Sequence, residues 1–266
     1  TVRVTHGAVD SGNPEGTSSA ITWQAGTADT MSKVNNGADG QSGTVATALG
    51  LPFVVQIVDQ YGNPVAGETV SFAITGTPSG ATGQYLSTLS DVTDSSGQAE
   101  TTLTLGTKVG TYTVEATNTT TATTLTFTAT GTAGDLDHFD VTPSTLTPTA
   151  SGTPNVTITI TALDAYDNPI PNYTTSQALN IDTNGTAGTP ASITWGNGPG
   201  SNGFAVTANS GESTTVAAGA AFDSNGEGTI QVGYSVAGDD VTVRVTHGAV
   251  DSGNPEGTSS AITWQA

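Results

Sequence analysis

The chain has 266 residues, 23 of them acidic and 4 basic, a formal charge of -19 at pH 7, and no cysteine. Four bases cannot neutralise a run of phosphates, which excludes nucleic-acid partners, and they offer nothing to an anionic membrane surface. Zero Cys removes disulfides, iron–sulfur clusters, thiolate catalysis and Cys-based zinc sites, and no run approaches 18 apolar residues, so this segment does not insert into a bilayer.

Taken in chain order, the first segment is also the last. Residues 1–25 (Thr1-Val-Arg-Val-Thr-His6 to Ala25) recur letter for letter at 242–266, an offset of 241. Identity over 25 positions is not chance, and it reads as a window on an array with a 241-residue period. With one copy of the duplicated Asp10, Glu15 and Arg3 removed, a period carries 21 acids and 3 bases, or -18. Thr1–Val4 reads as strand rather than as a signal peptide.

Next come alternating segments of period 2, the signature of half-buried strands. Val70, Phe72 and Ile74 alternate with polar neighbours, as do Leu103 and Leu105, then Tyr112, Val114 and Ala116, then Leu125, Phe127 and Ala129. The pattern returns at Val156, Ile158 and Ile160, at Ile230, Val232 and Tyr234, and at Val241, Val243 and Val245. The opposite face is mostly threonine, whose branched Cβ favours extended backbone while its hydroxyl stays wet. Gly, Pro and Asn punctuate every 8–12 residues, the spacing of an all-β sandwich.

A weaker repeat lies inside the period. Asp59-Gln-Tyr-Gly-Asn-Pro64 answers Asp164-Ala-Tyr-Asp-Asn-Pro169, Asp94-Ser-Ser-Gly97 answers Asp223-Ser-Asn-Gly226, and Gly110–Ala116 answers Asp239–Val245. The chain therefore divides into residues 1–26 (the last two strands of a preceding second-type domain), a first domain at 27–133, and a second at 134–266 with an insertion at about 172–220. The paired motifs read first as turns: Gly permits positive φ, Asn caps its own backbone and Pro fixes the exit.

Asp59–Gly67, Thr93–Ala99 and Gly110–Ala116 together resemble the motifs of bacterial Ig-like domains of the invasin/intimin type. The resemblance implies tandem immunoglobulin-like Greek-key β-sandwiches, an extracellular location at the cell surface, and a rod-like role without catalysis.

Candidate sites are few. Asp135, Asp137 and Asp140, at the junction of the two domains, could offer oxygens to calcium. No other cofactor is expected. Trp195 and Phe204, in the insertion, could form an exposed contact for a glycan or receptor. Two distinct histidines per period, His6/His247 and His138, argue against a His-based metal site, and no nucleophile motif surrounds any serine. The second domain has no lysine, so it cannot form an isopeptide bond; in the first, Lys33 reads as a surface charge. The partners expected are neighbouring copies of the same repeat along a fibre. The main reading is a structural stalk or filament. The alternatives are an adhesin repeat that itself binds a ligand, and separate subunits polymerised by terminal strand exchange.

Overall fold

The computed structural model describes residues 3–5, 15–19, 22–34, 38–183, 187–188, 190–208, 210–248 and 254–266. His6 lies outside them. A hairpin of β1 (Arg3–Thr5) and β2 (Glu15–Thr17) comes first. Then follow β3 (Thr30–Lys33), β4 (Gln41–Thr44), β5 (Phe53–Val58), β6 (Thr69–Gly76), β7 (Tyr85–Leu86) and β8 (Ser90–Val92). Next are β9 (Gln98–Thr101), β10 (Leu103–Thr104), β11 (Gly110–Asn118) and β12 (Thr124–Thr132). The second half holds β13 (His138–Pro143), β14 (Val156–Leu163), β15 (Leu179–Asp182), β16 (Ile193–Asn197), β17 (Ser213–Val216) and β18 (Glu227–Tyr234). It closes with β19 (Asp240–Val241), β20 (Arg244–His247), β21 (Glu256–Thr258) and β22 (Ile262–Thr263). One 3₁₀ turn, Pro190–Ser192, is the only helical element among the described residues.

In the first half, β3-β5-β9 form one sheet and β4-β12-β11-β6-β8 the other. Consecutive β5 and β6 thus sit on opposite sheets, while β11 lies between β6 and β12. This is the Greek-key order of an immunoglobulin-like sandwich. The short β4 runs parallel to β12, from Gln41↔Ala129 to Thr44↔Thr132. Both sheets supply the core: Phe53, Val55 and Ile57 face Val70, Phe72, Tyr112, Val114 and Phe127. Phe53 and Phe127 stack at 4.7 Å between centroids, joining the two sheets. Every alternating apolar residue named above is buried or half-buried. On the outer face Thr111↔Thr130, Thr113↔Thr128 and Thr117↔Thr124 stand as cross-strand pairs, a favourable pairing for β-branched side chains.

The second half is also two sheets, β13-β14-β18-β16 and β17-β15-β20-β21. Its core joins Ile158, Ile160, Trp195, Ile230 and Val232 to Leu179, Ile181 and Val245. The expected insertion forms edges: β16 pairs with β18, and β17 crosses back to pair with β15. The first core draws on Met31 to Ala129 and the second on Phe139 to Trp264.

The hairpins of the duplicated ends fold alike. Arg3↔Thr17, Val4↔Gly16 and Thr5↔Glu15 in one copy correspond to Arg244↔Thr258, Val245↔Gly257 and Thr246↔Glu256 in the other.

Gly97 and Gly226 show why the short turn motif needs glycine. Their φ angles are +72° and +74°, and a Cβ on Gly97 would lie 2.4 Å from the Ile57 carbonyl oxygen. Just before them, Asp94 Oδ1 accepts the amides of Ser96 and Gln98, and Asp223 Oδ1 accepts those of Asn225 and Glu227. These carboxylates close turns.

Candidate interdomain junction

The Asp-x-Tyr-x-Asn-Pro loop joins β5 to β6 in the first sandwich and follows β14 in the second. In each copy the aspartate is buried and collects amides. Asp164 accepts Tyr166 N and Asn168 N through Oδ1, and Asn168 Nδ2 through both oxygens. Its Oδ2 also takes Gly134 N at 2.9 Å, which fastens the linker between the sandwiches. Asp59 makes the same set with Tyr61, Asn63 and Gly26 N, the last at 2.8 Å. Hydrogen bonds to the charged form lower a carboxylate pKa. The Gly26 amide, then the Asn63 side chain, hold Asp59 at about 2. For Asp164, burial pushes upward, but the bonds from Gly134, Asn168 and Tyr166 outweigh it and hold the group below 3.8.

The asparagine reaches out of its own sandwich. Asn168 Nδ2 donates to Thr107 O at 2.9 Å, and Val109 N donates to Asn168 Oδ1 at 3.2 Å. Lys108, between those two, donates to the Tyr166 carbonyl. The loop between β10 and β11 is thereby clasped by the second sandwich. Thr44 and Val45 of the first sandwich border a groove with Leu136 and Tyr166 of the second. Asn168 is 2% exposed, so two of its bonds form away from water, where an unmade one is costly.

The expected calcium trio is not assembled. Among the described residues, no three His, Cys, Asp or Glu side chains are placed to hold a metal ion. Asp137 faces His138 Nδ1 at 3.0 Å, and Asp140 Oδ2 accepts the Thr142 hydroxyl. The reason is extended backbone: the three-residue step from Asp137 to Asp140 spans about 10 Å, whereas calcium takes oxygens at about 2.3–2.6 Å. Asp135 and Asp137 instead border the groove. His138 Nε2 lies 3.3 Å from Asp167.

The expected contact at Trp195 and Phe204 is also corrected. Trp195 is 2% exposed and Phe204 5%. Alternation along β16 turns Trp195 inward, where its Nε1 donates to Gly211 O at 2.8 Å. Phe204 packs edge-on against Phe222, 5.0 Å between centroids. The insertion completes the core. His247 is buried too; burial lowers its pKa, and its Nε2 accepts the Gln177 amide. Lys33 pairs with Asp39 at the surface.

The junction residues Asn168 and Lys108 were not singled out in the sequence, where the motif reads as a turn alone. The available signal was the Asp itself: a turn needs Asn, Gly and Pro, but not an aspartate buried beneath them.

No protein-family model and no curated protein matches the chain. Solved structures similar to it include the Escherichia coli adhesin FdeC (19% identity, 91% of this chain, 67% of that one, TM-score 0.46). The D0-D1 domain of intimin follows at 16% identity, 90% of this chain, 99% of that one and TM-score 0.30. Yersinia pseudotuberculosis InvD aligns at 19% identity, 89% of this chain, 58% of that one and TM-score 0.39. The strand order itself defines the class: an all-β chain of immunoglobulin-like sandwiches.

Proposed function

We propose that this chain is one 241-residue period, with a 25-residue overlap, of an extracellular cell-surface stalk or filament. Its units are the sandwiches at 27–133 and 134–266. Its role is mechanical, without a catalytic step, and its partners are neighbouring copies along the fibre. One observation carries the reading. The same 25 residues close a sandwich at one end of the chain and lead into the next sandwich at the other, and Asp59 grips Gly26 there as Asp164 grips Gly134. Each sandwich is about 35–45 Å long at ~3.3 Å per strand residue, so a period extends about 80 Å. The acidity suits this role, since like charge keeps rods apart laterally.

The burial of Trp195 and Phe204 weighs against an adhesin repeat built on an aromatic platform in the insertion. Strand exchange between separate subunits has no driving force here. Placing residues 1–25 in a neighbour's sandwich displaces an identical segment, so every apolar group buried is matched by one released. The test is the size of the native material on a denaturing gel, with shadowed electron micrographs. Species far above 26.4 kDa and thin rods are expected; a discrete band at the size of this chain would overturn the reading.

A further inference from the structure

The Asp-x-Tyr-x-Asn-Pro loop occurs twice, and only one copy is engaged. In the second sandwich Asn168 is 2% exposed and Tyr166 40%. In the first, Asn63 is exposed and Tyr61 is 80% exposed. Asn63 Nδ2 reaches Asp59 as its counterpart reaches Asp164. Among the described residues, however, nothing stands where Thr107 and Val109 stand beside Asn168. Next to the loop runs a groove bordered by Ala25, Gly26, Pro64, Val65, Ala66 and Glu68. Glu68 Oε2 is buried there without a hydrogen-bond partner, a vacancy that folded proteins seldom leave unfilled.

We propose that the Tyr61–Pro64 face is the seat of residues 235–238 from a second copy of this repeat, the one preceding it in the fibre. The proposal rests on the array reading above and specifies its joint. Residues 235–238 hold, in the second sandwich, the place that 106–109 hold in the first, just ahead of the segment matching Gly110–Ala116. Ser235, Ala237 and Gly238 are exposed. Gly238 N, the counterpart of Val109 N, is taken by Trp264 O, and the turn over 237–238 engages Val236 O, while Ala237 has no backbone hydrogen bond among the described residues. They offer carbonyl oxygens, Val236 O at the place of Thr107 O and Ala237 O beside it, to which Asn63 Nδ2 can donate as Asn168 Nδ2 does; the amide contact that Val109 makes within the repeat is not repeated. Continuity supplies proximity: Gln265-Ala266 is the same dipeptide as Gln24-Ala25, which Gly26 follows. The chain therefore runs from β22 straight to the glycine that Asp59 grips. Linkage of this kind raises effective concentration without a new contact. One difference is built in: Lys108 corresponds to Ala237, so the joint between repeats lacks the lysine contact of the joint within a repeat.

The absence of native cysteine gives a clean test. A chain extended to two consecutive periods carries Ala237→Cys in the first period and Asn63→Cys in the second. A disulfide requires Cα atoms within about 7 Å, and both positions are exposed, so neither substitution disturbs a core. Lys108→Cys with Asn168→Cys, the matching pair at the internal joint, where Asn168 bonds the backbone on both sides of Lys108, is the positive control. The negative control replaces the second cysteine by Ser79→Cys, beside Pro78, which packs against Gly110 at the other end of the first sandwich. Under mild oxidation the Ala237/Asn63 pair is expected to link within one chain, on the order of tenfold or more faster than the Ser79 control. Linking at the Ser79 rate, while the Lys108/Asn168 control closes, would overturn the proposed seat. That result would leave the array reading standing, because the array is judged on native size alone.

Discussion

Trp23 and Trp264 occupy the same place in identical 25-residue segments, yet one is 90% exposed and the other 1%. The local sequence is the same, so only what surrounds each segment can differ. β22 pairs with β19 through Val241↔Ile262 and Asp240↔Thr263, and Gln265 bridges Thr149. Trp264 then packs edge-on against Tyr234 at 6.2 Å. The matching residues 22–25 are in no strand, and among the described residues nothing pairs with them as β19 and Thr149 pair with 262–265. The first hairpin keeps its register without those neighbours. Pairing across a turn is local, whereas the last strand of a sandwich depends on distant partners.

The sharpest way to break this comparison is to truncate each tryptophan. Trp264→Ala should cost about 3–5 kcal/mol, while Trp23→Ala should change stability by no more than about 0.5 kcal/mol. Chemical denaturation followed by far-UV circular dichroism measures both, and equal effects would mean that residues 22–25 are also packed. Asp164→Ala removes an acceptor of five hydrogen bonds and should cost about 3 kcal/mol, read in the same experiment.

Acid sharpens the comparison between the two aspartates. Both have folded pKa values below the ordinary 3.8, so between those values the unfolded chain binds more protons and stability rises with pH. Their contribution is complete well above 3.8 and is lost as pH falls below it, for Asp59 toward about 2. The melting temperature should drop across that window, and Asp59→Asn with Asp164→Asn should flatten the drop. The smallest effect is expected from Lys108→Ala, under about 1 kcal/mol, because its amine is exposed. Chelator should leave the melting temperature unchanged, since no carboxylate trio is assembled among the described residues; a fall on adding chelator would restore calcium to the junction.

Much of the fold was legible in the residues. The alternation at Val70–Ile74, Tyr112–Ala116 and Val156–Ile160 set which face is buried, because a strand has only two faces. The threonine face and the turn glycines followed from the same geometry. The insertion did not yield in this way: Trp195 beside a glycine-rich run left surface contact and core both open, and β16 folds onto β18 and turns it inward, a distant pairing that local sequence does not encode. At the junction, Asp135 and Asp137 were conspicuous as charges, yet the joint is made by Asn168, Asp164 and the backbone of Thr107 and Val109. Amide groups belong to every residue, so nothing in the letters marks which ones will be used.

The parallel rungs between β4 and β12 have a consequence for load. Tension applied at the two ends of the first sandwich pulls an early strand and the last strand in opposite directions. Because the two run parallel, their four rungs, Gln41 to Thr44, are sheared together rather than opened one at a time. In the second sandwich the corresponding parallel contact is the single bridge Thr149↔Gln265. A fibre of alternating units would therefore give way at every other sandwich first, extending in steps while the intervening sandwiches held.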